Sequence, residues 1–155
     1  IGYKKHNAYH AVETDALSPA EFRQAFRAHL RYSASDESLD AAWNALLLEF
    51  QPWLLGQLRA LGQRYRLHIL SNTNRIHIDE VKRRMGLRAY GEFSRCFENV
   101  FYSYDLKLRK PDIAIYQTVD RIVGVKDPAR VFFLDDNADN IEAALQHGWK
   151  AKQFI

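Results

Sequence analysis

The sequence predicts an α/β protein: a Rossmann-like parallel sheet with flanking helices, joined to a small helical unit. Three observations carry this expectation. From residue 51 to 155, short apolar runs alternate with patterns of helical spacing, as in strands connected by helices in a parallel sheet. Residues 1–50 show helical patterns alone and are expected to form a separate helical unit. Third, the run Val131-Phe-Phe-Leu134 stops at two adjacent carboxylates, Asp135 and Asp136, and a helical pattern (Ile141, Ala144, Leu145) follows at once. Such a run reads as a buried strand. Its carboxyl end is where open α/β sheets bind ligands.

The elements are read in chain order. Residues 1–17 are polar and carry no clear assignment. Ser18-Pro-Ala-Glu21 starts a helix: serine caps, proline fits the first turn and glutamate completes a capping box. Phe22, Ala25, Phe26 and Leu30 follow at helical spacing, with His29 at the edge of the stripe. Ser35-Asp-Glu starts a second helix whose apolar face is Leu39, Ala42, Trp43, Leu46 and Leu47. Pro52 opens a third, from Trp53 to Leu61, stopped by Gly62. A strand is expected over Arg66–Leu70, ending in Ser71-Asn-Thr-Asn74. Helices follow over Ile76–Met85 and Tyr90–Phe97, then a strand over Asn99–Ser103. Asp112–Val123 is helical, with Ile115, Tyr116, Val119 and Ile122 as its buried stripe. The strand before Asp135, a helix to His147 and a last strand over Trp149–Ile155 complete the chain.

Composition narrows the classes. The chain has 155 residues, of which 47% are hydrophobic and 13% aromatic, enough for a real core. Net charge is +3 and the basic residues are scattered, so no nucleic-acid or membrane-surface partner is expected. The single cysteine, Cys96, excludes an internal disulfide and fits a reducing compartment; it reads as a packed thiol. No apolar run is long enough to span a bilayer, and Ile1-Gly-Tyr-Lys-Lys5 is not a signal peptide. The localisation expected is cytoplasmic. Ile1 stands where an initiator Met would, so the chain is expected to begin inside a longer natural one.

Three segments carry chemistry-bearing residues to strand ends. Asp135 and Asp136 repel each other unless positive charge lies near, and a hard cation such as Mg2+ answers that need. The alternative is a solvated loop in which one of them caps the next helix. Ser71 and Asn72 follow a strand and offer a hydroxyl, an amide and backbone N–H groups to a phosphoryl oxygen. Lys110, in Leu108-Arg-Lys-Pro-Asp112, sits where Pro111 restricts its backbone and starts the next helix. Its ammonium could face an anion at the strand ends. A cation, a lysine and a hydroxyl around one point would make a phosphate site.

In this order, Leu-Ser-Asn-Thr-Asn, Leu-Arg-Lys-Pro-Asp-Ile-Ala-Ile-Tyr and Val-Phe-Phe-Leu-Asp-Asp-Asn-Ala-Asp-Asn resemble the motifs of the haloacid dehalogenase (HAD) superfamily. The likeness covers roughly residues 10–155 and is greatest to members with a small helical cap, which include bacterial sugar-phosphate phosphatases such as glucose-1-phosphate phosphatase. It implies a helical cap over residues 1–50, incomplete at its start, and a HAD-like core over 51–155. It implies that Ser71 and Asn72 bind the transferring phosphoryl group and that Lys110 neutralises charge there. Asp136 aligns with a direct Mg2+ ligand, Asp135 with its neighbour, and Asn140 falls where many relatives carry a further acid. The implied activity is Mg2+-dependent hydrolysis of a small phosphate ester through an aspartyl-phosphate.

The sequence departs from the family at one point. The nucleophilic Asp-x-Asp pair, on an N-terminal strand, has no counterpart after an apolar run here. The resemblance places that strand between those ending at Leu70 and Leu134, so both are expected to have unpaired edges. The metal site is expected to be half a cage, with Asp136 its closer ligand, and the chain alone is expected to be inactive. Alternatives are a truncated or degenerate member that binds a ligand or partner without turnover, and a phosphomutase. A phosphoacceptor receiver domain fits less well, because its acidic pair comes early in the chain. The acidic pair also argues against metal-free dehalogenation. Substrate identity and oligomeric state are not legible.

Overall fold

A computed structural model describes residues 2–30 and 33–154, with the side chains described from residue 8 onward. Ile1, the side chain of Tyr3 and the expected end of the last strand at Ile155 lie outside the described residues. In chain order the elements are α1 (Gly2–Glu13), α2 (Pro19–Arg27), α3 (Asp36–Asn44), α4 (Leu54–Gly62), β1 (His68–Ser71), α5 (Arg75–Met85), α6 (Leu87–Ser94), β2 (Asn99–Tyr102), α7 (Ser103–Leu106), α8 (Ile113–Val123), β3 (Phe132–Asp135), α9 (Ala138–His147) and β4 (Lys150–Gln153). Among the described residues no helix is long and apolar enough to cross a membrane.

Local chemistry sets the boundaries. Ser18 and Glu21 form the full capping box of α2, and Ser35 caps α3. Asn74 caps α5 by accepting from the His77 N–H at 3.0 Å. The unassigned start of the chain is helical, as α1. Gly148 ends α9 with φ +100°, a conformation that favours glycine, although a Cβ there would meet that of Pro128 at an ordinary 3.5 Å.

The strands form two parallel pairs. β1 pairs with β2, His68 opposite Asn99, and β3 pairs with β4, Phe132 opposite Lys150. β1 and β3 do not pair with each other. The main core lies on one face of β3 and β4, where Phe133 and Trp149 pack with Phe101, Ile115, Tyr116, Val119, Ala143 and Ala144. A second core joins the first three helices to α5: Val12, Phe22 and Trp43 pack on Ile76, with Phe26 against them.

Several expected burials fail. Phe132 and Leu134 are 63% and 54% exposed, so β3 is buried on one face only. Their side chains alternate with Phe133 and lie on the face that no described layer covers. α4 has no buried residue, and Trp53 and Leu61 are exposed. Ile122 of α8 and Leu145 of α9 are exposed because a two-stranded ribbon is too narrow to cover the whole apolar arc of both helices. Leu46 is exposed because α3 ends at Asn44, two residues before it.

Candidate active site at the carboxyl ends of β1 and β3

Lys110 is the centre of the site. It lies between α7 and α8 and is 5% exposed. Its ammonium donates to the Leu70 carbonyl at 2.7 Å and to Asp135 Oδ2 at 2.5 Å. One cation therefore meets the end of β1 and the end of β3, and sits 5.3 Å above the Phe133 ring. The exposed backbone group it meets is the one strand alternation leaves over. The Leu67 carbonyl accepts from the Glu98 N–H beside β2, so Ile69 and Ser71 also face β2, while His68 and Leu70 face away. By the same alternation Val131, Phe133 and Asp135 face β4, and Phe132 and Leu134 face away.

Asp135 is held on every side. Oδ1 accepts from the Asn137 N–H at 2.9 Å and from Asn140 Nδ2 at 2.8 Å, while Oδ2 takes Lys110. Burial pushes its pKa up, but the Lys110 ammonium and the Asn140 and Asn137 donors outweigh burial and hold it below the usual carboxylate range. Asn140 is itself buried, and its carbonyl accepts from the Tyr116 hydroxyl at 2.8 Å. Burial raises the Tyr116 pKa, so its hydroxyl remains a donor.

Asp136 is different. It is exposed, its carbonyl accepts from Gln153 Nε2 at 2.8 Å, and its carboxylate makes no hydrogen bond with the described residues. The positive charge that two adjacent carboxylates require is thus supplied to Asp135 by Lys110, and the Asp136 carboxylate faces solvent. A free carboxylate and nearby backbone oxygens suit a hard cation. Among the described residues no group of three or more His, Cys, Asp or Glu converges on one point, so Asp136 could be one ligand of such an ion but not a cage.

Ser71 ends β1, one residue beyond the carbonyl that binds Lys110, and its hydroxyl is free of partners among the described residues. The Asn72 side chain turns to Lys110: Nδ2 donates to the Lys110 carbonyl and Oδ1 accepts from the Lys110 N–H, each at 2.9 Å. The loop behind them is clamped. Ser103 Oγ accepts from the Thr73 N–H and donates to the Thr73 carbonyl, both at 3.0 Å, and is fully buried.

The expected residues Ser71, Asn72, Lys110 and Asp135 therefore meet at one place, with Asp136 beside them but turned to solvent. Asn140, singled out only as standing where relatives carry a further acid, joins them through its amide, and Ser103 and the Glu13–Arg109 pair were not expected. Asn140 orients Asp135, and its spacing after Asp135, on the first turn of α9, was a usable signal. Ser103, the first residue after β2, and the buried Glu13–Arg109 pair, at 2.9 Å from α1 to the residue before Lys110, had no local signal.

Residues 18–148 match the family described as haloacid dehalogenase-like hydrolase. Among solved structures, a HAD family enzyme from Bacteroides thetaiotaomicron superposes with a TM-score of 0.86 at 30% identity, over 98% of this chain and 74% of its own. An aspartate-to-alanine mutant of that enzyme, in complex with magnesium and inorganic phosphate, gives 0.84 at 34% identity, over 92% and 70%. A HAD-like family hydrolase from Porphyromonas gingivalis shares the fold, with a TM-score of 0.82 at 23% identity, over 94% and 71%. With the family matched over most of its length and the same fold in these enzymes, the chain belongs to the haloacid dehalogenase-like hydrolases.

Proposed function

We propose that the protein is a Mg2+-dependent phosphatase that acts in the cytoplasm on a small phosphorylated metabolite, a sugar phosphate being the class in view. The observation that carries this reading is the buried ammonium of Lys110, fixed between two strand ends beside a free hydroxyl, Ser71, and a free carboxylate, Asp136. The complexes of the Bacteroides thetaiotaomicron enzyme with magnesium, and with magnesium and inorganic phosphate, support it.

Each residue then has a task. An ammonium has three donors, and two are committed, so Lys110 keeps one for a phosphoryl oxygen. Ser71 offers its hydroxyl and Asn72 its backbone N–H to the others. Asp136 would hold Mg2+, which would add positive charge at the phosphoryl oxygens. Asp135 is not the nucleophile, because both its oxygens already accept hydrogen bonds. The nucleophile belongs on a further strand between β1 and β3, whose edges are unpaired among the described residues. Its aspartate would attack phosphorus as the ester P–O bond breaks, and the departing alkoxide would take its proton from solvent to leave as the alcohol. Water would then hydrolyse the aspartyl-phosphate to inorganic phosphate.

The test is phosphate release from p-nitrophenyl phosphate with Mg2+ and with a chelator, in this chain and in the natural full-length protein. Mg2+-dependent release in the full-length protein alone is the expected result. Release in neither favours a non-catalytic binding role, for which the absence of a free carboxylate against Lys110 among the described residues is the specific argument.

A further inference from the structure

Asn72 follows Ser71 and so would ordinarily be counted among the groups that hold the phosphoryl oxygens. Its side chain is engaged elsewhere. A carboxamide has the same donor and acceptor as a peptide group, and here it meets the Lys110 main chain as one strand meets another, through two hydrogen bonds of 2.9 Å. The Lys110 ammonium returns to the same stretch, at 2.7 Å from the Leu70 carbonyl. Leu70 and Asn72 therefore grip this lysine at three points: N–H, C=O and Nζ.

We propose that Asn72 is a positioning residue, whose side chain fixes the root of Lys110 and does not touch substrate. The physical need is plain. Lysine is a compact charge on a flexible stem with large rotamer entropy, and an ammonium that must meet a developing charge has to be ordered in advance. Holding Nζ alone leaves the backbone free to shift it; holding the backbone on both sides does not. The mount is rigid because its other end is fixed, with Thr73 clamped by Ser103 and Asn74 capping α5. The geometry also explains why asparagine is required. Aspartate would keep the acceptor for the Lys110 N–H but would set a carboxylate oxygen against the Lys110 carbonyl.

The catalytic consequence rests on the phosphatase reading, so the first measurement does not. Limited acylation of lysines in the full-length protein, mapped by mass spectrometry, should find Lys110 among the slowest to react. In Asn72→Ala its reaction relative to Lys126 and Lys152 should rise about tenfold or more, with Asn72→Asp intermediate. Unchanged protection of Lys110 in either folded variant overturns the proposal. Should Asn72→Ala not fold, the aspartate variant alone decides. The second measurement uses p-nitrophenyl phosphate and inorganic phosphate. Asn72→Ala should lower kcat about 10–100-fold while inhibition by phosphate changes less than about threefold. Adding Asn72→Ala to Lys110→Ala should cost nothing further, because the two act as one unit. Weaker phosphate inhibition, or losses that add, would place Asn72 on the substrate and overturn the proposal. A full-length protein without hydrolysis would refute the phosphatase reading alone, and the labelling would still decide this one.

Discussion

Lys110 and Asp135 show how much can depend on one pair. Their side chains are 6% and 7% exposed, so each relieves a desolvation cost that neither could bear alone. Lys110→Met leaves the Asp135 carboxylate buried without a cation, and urea denaturation should show a loss of about 3 kcal/mol. The double variant Lys110→Met/Asp135→Asn should recover a large part of it, because neither buried charge remains; no recovery would mean that packing, not charge, is what Lys110 supplies. The pH dependence has a definite sign. Asp135 has a folded pKa below its unfolded value, so its contribution is present above about pH 4 and lost as pH falls through the lowered value. Asp135→Asn should lack that acid limb. Asp136 should behave oppositely. Its exposed carboxylate has no partner among the described residues, so Asp136→Asn should leave stability within about 0.5 kcal/mol while removing, in the full-length protein, both the proposed Mg2+-dependent phosphate release and any Mg2+-induced rise in Tm. A variant that kept the Mg2+ response would move the metal elsewhere.

Between elements, the first three helices are fastened to the rest of the chain along one face of α5 and at one loop. Trp43 of α3 stacks on His77 at 5.0 Å between ring centroids, and its carbonyl bonds His77 Nε2 at 3.3 Å. Seven positions on, Arg84 donates to the carbonyl of Asn44, the last residue of α3, and to that of Leu47 in the turn after it. At the loop, Glu13 of α1, 2% exposed, meets Arg109, the residue before Lys110. Arg109→Met strands that carboxylate and should cost about 3 kcal/mol in chemical denaturation, whereas losing the exposed Arg75–Asp15 pair should cost about 0–1 kcal/mol. Burial lowers the His77 pKa, more than its bond to Trp43 raises it, so the unfolded chain takes up the proton first. Stability is then present above about pH 6.5 and lost as pH falls through the lowered value. His77→Phe keeps a flat ring against Trp43 and should flatten the slope of Tm between pH 7.5 and 5.5; an unchanged slope would place the titrating group elsewhere. The sequence made the two serine caps and the stripe of α8 around Tyr116 readable, because caps and periodicity are local. It also brought Ser71, Lys110 and Asp135 to one edge, because a strand end is recognisable wherever it falls. The Glu13–Arg109 pair was not readable, since 96 positions separate its members and nothing local joins them.

Across the whole molecule, the two strand pairs share the core of Phe101, Phe133 and Trp149, and at their carboxyl ends Lys110 joins β1 to β3. An apolar run such as Val131–Leu134 shows that a strand wants cover but not which neighbour supplies it, and so Phe132 and Leu134 were expected inside and are found exposed. The same arrangement leaves the backbone groups of His68, Leu70, Phe132 and Leu134 turned to the unpaired edges of β1 and β3, with the Leu70 carbonyl relieved by Lys110. Unpaired inner edges invite a strand, because each N–H and C=O that is neither bonded nor hydrated costs about 1–3 kcal/mol. Amide hydrogen exchange can therefore resolve the arrangement residue by residue. In this chain the amides of His68, Leu70, Phe132 and Leu134 should exchange faster than those of Ile69, Ser71, Phe133 and Asp135, in strict alternation along both strands. In the natural full-length protein, a strand seated between β1 and β3 should bring the first four to the protection of the others. That strand would carry its aspartate to the point where Lys110, Ser71 and Asp136 gather. Alternation that persists in the full-length protein would leave the edges open and would place the nucleophile on some other element.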